Sequence, residues 1–277
     1  EFAGEAGDAF GYDVNQAGDV NGDGHGDVIV GAALADFKGF QSGRVYVFSG
    51  ADGTVLWMDD GDSRNAFLGS GVGNVGDLNG DGRPELVAGA YGVSTRGNPA
   101  KGRAYVYDGA TGTVLLTLSP PTNSPLSRFG EFFTSAAGDV NADGTPDIFV
   151  ADYNSSIDNK YAGKAYVFSG SDGALLLTIS GNTVDGLGPG RGIGDITGDG
   201  HADVIVAAYT NSEGAPAGGK TYLISGADGT VIRTMTGNIA FDFQGVDALG
   251  LGDVNGDGAQ DYLITGFSSA YVVLGIP

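Results

Sequence analysis

The sequence predicts an all-β protein, a β-propeller of five blades, and three observations carry the prediction. A nine-residue acidic motif returns five times at nearly even intervals. Each copy is followed by apolar runs of four or five residues, strand-length and too short for helices. Glycine, at 52 of 277 residues, lies beside Asp, Asn or Ala throughout the chain, as tight turns between short strands require. A repeat of this length with about four strands per unit buries its faces only against neighbouring units, which is the propeller solution. A β-sandwich leaves the constant spacing unexplained.

The motif first appears as Asp19 to Asp27, "DVNGDGHGD". It returns as "DLNGDGRPE" from Asp77, "DVNADGTPD" from Asp139, "DITGDGHAD" from Asp195 and "DVNGDGAQD" from Asp253, at intervals of 58, 62, 56 and 58 residues. The segments "VIVGA", "LVAGA", "IFVAD", "VIVAA" and "YLITG" follow the motifs as one strand, and "GRVYVFSG" with its four counterparts follows as another. In four copies a turn and a further strand come next, as in "ADGTVLWM", and a short Phe-Gly or Leu-Gly segment leads into the next motif (Phe10-Gly11, Leu68-Gly69, Phe129-Gly130). One domain is expected over residues 1–277, with repeats at about 8–60, 66–119, 128–180, 184–236 and 242–277.

Oxygen atoms on alternate positions of such a loop converge when glycines let the chain curl, and hard cations with six to eight oxygen ligands, chiefly Ca²⁺, suit the cage. In the first copy the assigned side chains are Asp19, Asn21, Asp23 and Asp27. The second copy supplies Asp77, Asn79, Asp81 and Glu85, and the third Asp139, Asn141, Asp143 and Asp147. The fourth supplies Asp195, Thr197, Asp199 and Asp203, and the fifth Asp253, Asn255, Asp257 and Asp261. Position 7 varies freely as His25, Arg83, Thr145, His201 and Ala259, so a backbone carbonyl is assigned there. Two helical alternatives fail. An EF-hand needs Glu at position 12, where this chain has Val30, Ala88, Val150, Val206 and Ile264; a dockerin module needs an amphipathic helix where a β-branched strand follows. Glu85 is expected to displace its carboxylate by the extra methylene, and the Thr197 loop to bind least tightly.

A net charge of −21 repels nucleic acid and anionic membrane and attracts cations. Five bound Ca²⁺ would move the formal charge from −21 to −11, so the loops account for much of the acidity. No apolar run approaches the roughly 18 residues of a membrane span. With no cysteine there is no disulfide or thiolate metal site, a composition that suits a secreted bacterial protein.

The stretch "FGYDVNQAGDVNGDGHGDVIVGA" resembles the FG-GAP repeat of integrin α-subunit propellers and their bacterial relatives: it has the Phe-Gly, the acidic loop and a Gly-Ala ending. The resemblance covers nearly the whole chain. It implies that the loop joining the first two strands of each blade binds Ca²⁺ on one face, and that the opposite face contacts partners in extracellular adhesion and recognition. The proline that ends the family's Gly-Ala-Pro is replaced by Ala33, Tyr91, Tyr153, Tyr209 and Phe267. Integrin propellers have seven blades and this chain spells out five, the last ending after its third strand. Closure of five blades, one of them reduced, is the expected arrangement; a chain cut from a longer propeller is the alternative, and Glu1-Phe2 reads as a trimmed start.

Four of those replaced prolines are aromatic, and Tyr91, Tyr153, Tyr209 and Phe267 are the candidate partner surface for a protein or glycan; their other reading is packing beneath the variable loops that follow. Tyr46, Tyr105, Tyr166, Tyr222 and Tyr271 read as core. Catalysis is not expected: both histidines occupy position 7 of an acidic loop, and the acids outside the motifs (Asp36, Glu131, Asp158, Asp185, Glu213 and Asp247) show no evident pair. The expected function is a calcium-binding extracellular recognition module, with a propeller glycosidase or lyase, or a purely structural scaffold domain, as alternatives.

Overall fold

β-Branched and aromatic residues between turn signals form nineteen strands in a computed structural model that describes residues 4–5, 7–94, 102–121, 127–156 and 160–275. Among these residues there is no helix. Five antiparallel sheets follow one another along the chain, four of four strands and the last of three. Blade 1 comprises β1 (Phe10–Gly18), β2 (Asp27–Ala32), β3 (Arg44–Phe48) and β4 (Val55–Asp60). Blade 2 comprises β5 (Leu68–Gly76), β6 (Glu85–Ala90), β7 (Arg103–Tyr107) and β8 (Val114–Leu118). Blade 3 is β9 (Thr134–Gly138), β10 (Asp147–Asp152), β11 (Lys164–Phe168) and β12 (Leu175–Ser180). Blade 4 is β13 (Leu187–Gly194), β14 (Asp203–Ala208), β15 (Lys220–Ile224) and β16 (Val231–Thr236). Blade 5 holds β17 (Asp247–Gly252), β18 (Asp261–Thr265) and β19 (Ala270–Val273). Every acidic motif joins the first strand of its blade to the second.

The core lies between blades because the second strand of each blade is apolar on both faces. Ile29, Val45 and Val47 of blade 1 meet Leu86, Ala88, Tyr105 and Tyr107 of blade 2. Val87 and Val106 then meet Ile148, Val150 and Tyr166; Phe149 and Val167 meet Val204 and Val206; Ile205 and Leu223 meet Tyr262 and Ile264. Burying each such side chain contributes about 1.5–3 kcal/mol. Among the described residues no buried cluster joins blade 5 to blade 1. Met58 on blade 1 and Val272 on blade 5 are 54% and 57% exposed on the leftover faces. Tyr105 and Tyr166 are core as expected, whereas Tyr46, Tyr222 and Tyr271 are half-buried.

Close backbone approach explains two of the repeat's signature glycines. A Cβ on Gly31 would collide with the carbonyl oxygen of Gly69 in the next blade, and one on Gly89 with that of Gly130. The glycine that closes one blade's second strand thus packs on the Phe-Gly or Leu-Gly glycine that opens the next. Backbone bonds clip successive blades at the same level: the Leu68 amide donates to the Ser42 carbonyl (3.0 Å), Leu187 to Ala162 (2.9 Å) and Gln244 to Gly218 (3.0 Å).

Candidate functional site

The acidic loops form one rim of the ring, and each is organised by its own backbone. Asp19 accepts the amides of Gly22 (2.7 Å), Asp23 (3.0 Å) and Gly24 (2.8 Å), Asn21 accepts that of Asp23 (2.9 Å), and Asp23 accepts that of His25 (2.8 Å). The amides of Gly24, Gly200 and Gly258, followed by others in the same loops, hold Asp19, Asp195 and Asp253 below the usual carboxylate range. The acid at position 9 does different work. Asp27 is buried, takes the Val20 amide with one oxygen and reaches the Gly50 amide beyond β3 with the other (both 2.9 Å). Asp147 to Gly170, Asp203 to Gly226 and Asp261 to Gly275 repeat that tie at 3.0, 2.9 and 2.8 Å.

Two loops depart from the pattern where the sequence departs. Glu85 takes the amides of Leu78 (2.6 Å) and Asn79 (3.2 Å) and draws the Asn79 side-chain amide to itself (3.0 Å). In loops one, three and five the equivalent amide, from Asn21, Asn141 and Asn255, points instead at the position-5 aspartate. Thr197 turns its hydroxyl toward Asp195 (3.3 Å). At position 7, the Arg83 side chain reaches over Gly22 of the preceding loop, and His201 Nδ1 lies 2.7 Å from the Val140 carbonyl oxygen of the preceding loop. In these two copies only the backbone of position 7 stays with its own loop.

Among the described residues no three acidic or histidine side chains draw together as a ready-made metal cage. The donor set nevertheless fits a hard cation. It is all oxygen, with three carboxylates in each loop, and none of the ion pairs formed among the described residues uses a loop acid. A carboxylate oxygen that accepts one amide keeps a second lone pair.

The opposite rim lies at the far ends of the second strands, where Tyr91, Tyr153, Tyr209 and Phe267 fall. Tyr153 meets Tyr209 (6.3 Å between ring centroids), Tyr209 meets Phe243 (6.4 Å) and Phe243 meets Phe267 (5.0 Å). Tyr91 stacks on Phe67 at 4.6 Å, with the Arg128 guanidinium 4.8 Å from its ring centre. The first three tyrosines are half-buried, while Phe267 is 74% exposed. Glu131, an acid with no evident partner in the sequence, is the buried hub of this rim. It receives Tyr12 Oη (3.1 Å), Tyr153 Oη (2.7 Å) and two bonds from Arg128 Nη1 (2.9 and 3.0 Å). Burial, reinforced by Glu131, pushes the Tyr12 and Tyr153 phenols well up.

Phe67, Phe132 and Phe243 escaped the sequence reading. They have φ of 57°, 62° and 54°, a left-handed backbone uncommon for aromatic residues, and it turns their rings onto this rim. The available signal was a phenylalanine just before the Leu-Gly or Gln-Gly pair that opens blades 2 and 5. Asp158 and parts of the loops at 92–101 and 154–162 lie outside the described residues.

The FG-GAP repeat description matches residues 10–48 and 133–168, and the FG-GAP-like repeat description matches residues 77–150. These segments of the β-propeller match FG-GAP repeats. This propeller is 27% identical to integrin alpha-4 of Xenopus laevis over 257 residues, covering 81% of this chain and 24% of the relative. It is 34% identical to integrin alpha-IIb of Mus musculus over 161 residues, covering 53% of this chain and 15% of that one. Phosphatidylinositol-glycan-specific phospholipase D of Homo sapiens is 32% identical over 145 residues, 48% of this chain and 17% of the relative. The propeller therefore spans less than a quarter of the length of these curated relatives. Among solved structures, the Dos1 propeller matches with a TM-score of 0.54 at 11% identity, covering 96% of this chain and 55% of that one. The rhamnogalacturonan lyase YesW matches at 0.51 and 15% identity, covering 95% and 56%. At such identities these two likenesses concern the fold.

Proposed function

We propose that this FG-GAP propeller is an extracellular, calcium-stabilised recognition module of the adhesion type. In this reading one rim holds Ca²⁺ and the other holds a partner. The observation that carries it is the division of labour between the rims: five loops of the same oxygen-rich chemistry on one, and aromatic side chains beside unlike loops on the other. Similarity to integrin alpha chains supports the adhesion role and the surface or secreted location.

Asp, Asn, Thr or Glu at positions 1, 3, 5 and 9, with the position-7 carbonyl, would hold each ion. Bound Ca²⁺ would supply charge neutralisation among three carboxylates. The chain's own part is to fix the loop with amides and to tie it through position 9 to the turn beyond the third strand. Elemental analysis after dialysis against micromolar Ca²⁺ tests this: about one ion per loop is expected, with one fewer in Asp143→Ala. Metal-free protein would overturn the calcium assignment.

A second reading, a propeller that cleaves glycans, draws on Asp13 and Asp247 lining one cavity on the ring axis. Burial holds the Asp13 carboxyl above its usual range. Screening polysaccharides for new ends, with Asp13→Asn as control, separates the readings: product released by the parent and lost in the variant would favour the enzyme.

A further inference from the structure

Two adjoining hollows occupy the middle of the ring toward the aromatic rim. The larger, about 420 Å³, is lined by Asp13 and Asn15 of β1, Thr134 and Ser135 of β9, Arg191 of β13 and Asp247 of β17. Its volume lies within the roughly 300–1,000 Å³ of small-molecule sites. The smaller, about 200 Å³, is almost wholly apolar and is walled by Phe132, Phe133, Tyr153, Pro189, Tyr209 and Val246. Phe132 and Phe133 border both, so they join a polar chamber to an aromatic mouth.

The chemistry of the chamber is mixed. Thr134 and Ser135 border it through the β9 backbone, their hydroxyl oxygens being enclosed between blades. Asp13 accepts the amides of Val14 (3.0 Å) and Val72 (2.8 Å), one on each oxygen, which leaves each oxygen a further lone pair. Arg191 bonds Asp247 and the Ala248 carbonyl. Donors and acceptors thus alternate around one space. An anion fits poorly, because it meets Asp13 and Asp247 while the one cation on the wall, Arg191, is already paired with Asp247. Hydroxyl groups, each of which donates and accepts, match the wall. The mouth adds aromatic and proline surfaces for C–H faces, and the Tyr153 phenol is already committed to Glu131.

We propose that chamber and mouth together bind a neutral pyranose glycan, with a sugar ring against Phe132 and its hydroxyls bonded to Asp13 and Asn15. The proposal rests on the reading above that the aromatic rim is the recognition face, and it names the ligand class for that face.

Calorimetric titration of the full chain in Ca²⁺ buffer tests it, with maltotetraose, cellotetraose, mannotetraose and galactotetraose as neutral probes. Trigalacturonate is the acidic probe and a Lys/Arg-rich peptide the cationic one. At least one neutral tetrasaccharide is expected to bind at a single site, and its affinity should fall at least about tenfold in both Phe132→Ala and Asp13→Asn. Trigalacturonate and the peptide should not bind. If Phe132→Ala proves unfolded by its melting curve, Tyr209→Ala takes its place. Failure of all four neutral sugars overturns the proposal. Binding of trigalacturonate or peptide that is lost in Phe132→Ala also overturns the ligand class while leaving the recognition face standing. Sugar binding that ignores the rim variants but is lost in Asp23→Asn, on the acidic rim, overturns the recognition face itself.

Discussion

The acidic rim makes nearly the same hydrogen bonds five times, whereas among the described residues the aromatic rim has no side-chain contact that recurs in every blade. On the first, Gly24, Gly82, Gly144, Gly200 and Gly258 all donate to the leading aspartate of their loop at 2.8–2.9 Å. On the second, Glu131 gathers two tyrosines and an arginine in one place only, and the blade-to-blade ring contacts differ in partners and angle. Repetition marks the part that every blade needs in order to stand. Irregularity marks the part free to be shaped for a partner. Four of the five position-9 acids, Asp27, Asp147, Asp203 and Asp261, show the first half most clearly, since each binds two separate turns of its blade from a buried place.

The largest expected effect therefore falls on the acidic rim. Asp203→Ala would leave the amides of Ile196, Thr197 and Gly226 without their acceptor, at a cost of about 3 kcal/mol in a urea melt. Tyr209→Ala on the aromatic rim should cost less than half of that; equal losses would break the contrast between the rims. Next in size is a pH effect at the end of β10. Burial raises the Asp152 carboxyl to about 6, although Arg128 N and Ser127 Oγ donate to it. The native state then holds this proton more tightly than the unfolded chain does. Stability from this group is fully present below about pH 4 and is lost as pH rises through about 6, a swing on the order of 2–3 kcal/mol. The stability difference between wild type and Asp152→Asn should move in favour of wild type as pH falls from 7 to 4; a constant difference would contradict it.

Smaller effects sharpen the comparison within the acidic rim. Glu85→Asp should restore the tie to the turn after β7 and gain about 1 kcal/mol. Thr197→Asn should change metal-free stability by less than about 0.5 kcal/mol, yet remove the weakest phase of a Ca²⁺ titration.

The propeller and its acidic loops were legible because they are local and repeated: a nine-residue spacing and the strand after it can be read without knowing any neighbour. The displaced Glu85 carboxylate belongs to that class, since one methylene acts inside one loop. The Glu131 hub was not legible. Its partners Tyr12 and Arg128 are 119 and three residues away and belong to different blades, and no copy repeats it. The same holds for Arg83 and His201, whose side chains cross to the preceding loop. Asp247 looked isolated for a like reason, as its partner Arg191 comes from another blade. Contacts between blades depend on ring geometry, which no single repeat encodes.

One measurement addresses the division of labour directly: the melting temperature in Ca²⁺ and in excess chelator, for the wild type and for Phe132→Ala. Because Ca²⁺ would bind the folded loops and not the unfolded chain, chelator should lower the melting temperature markedly, and by the same amount in both proteins. An unchanged melting temperature in chelator, with no metal found by elemental analysis, would contradict the account.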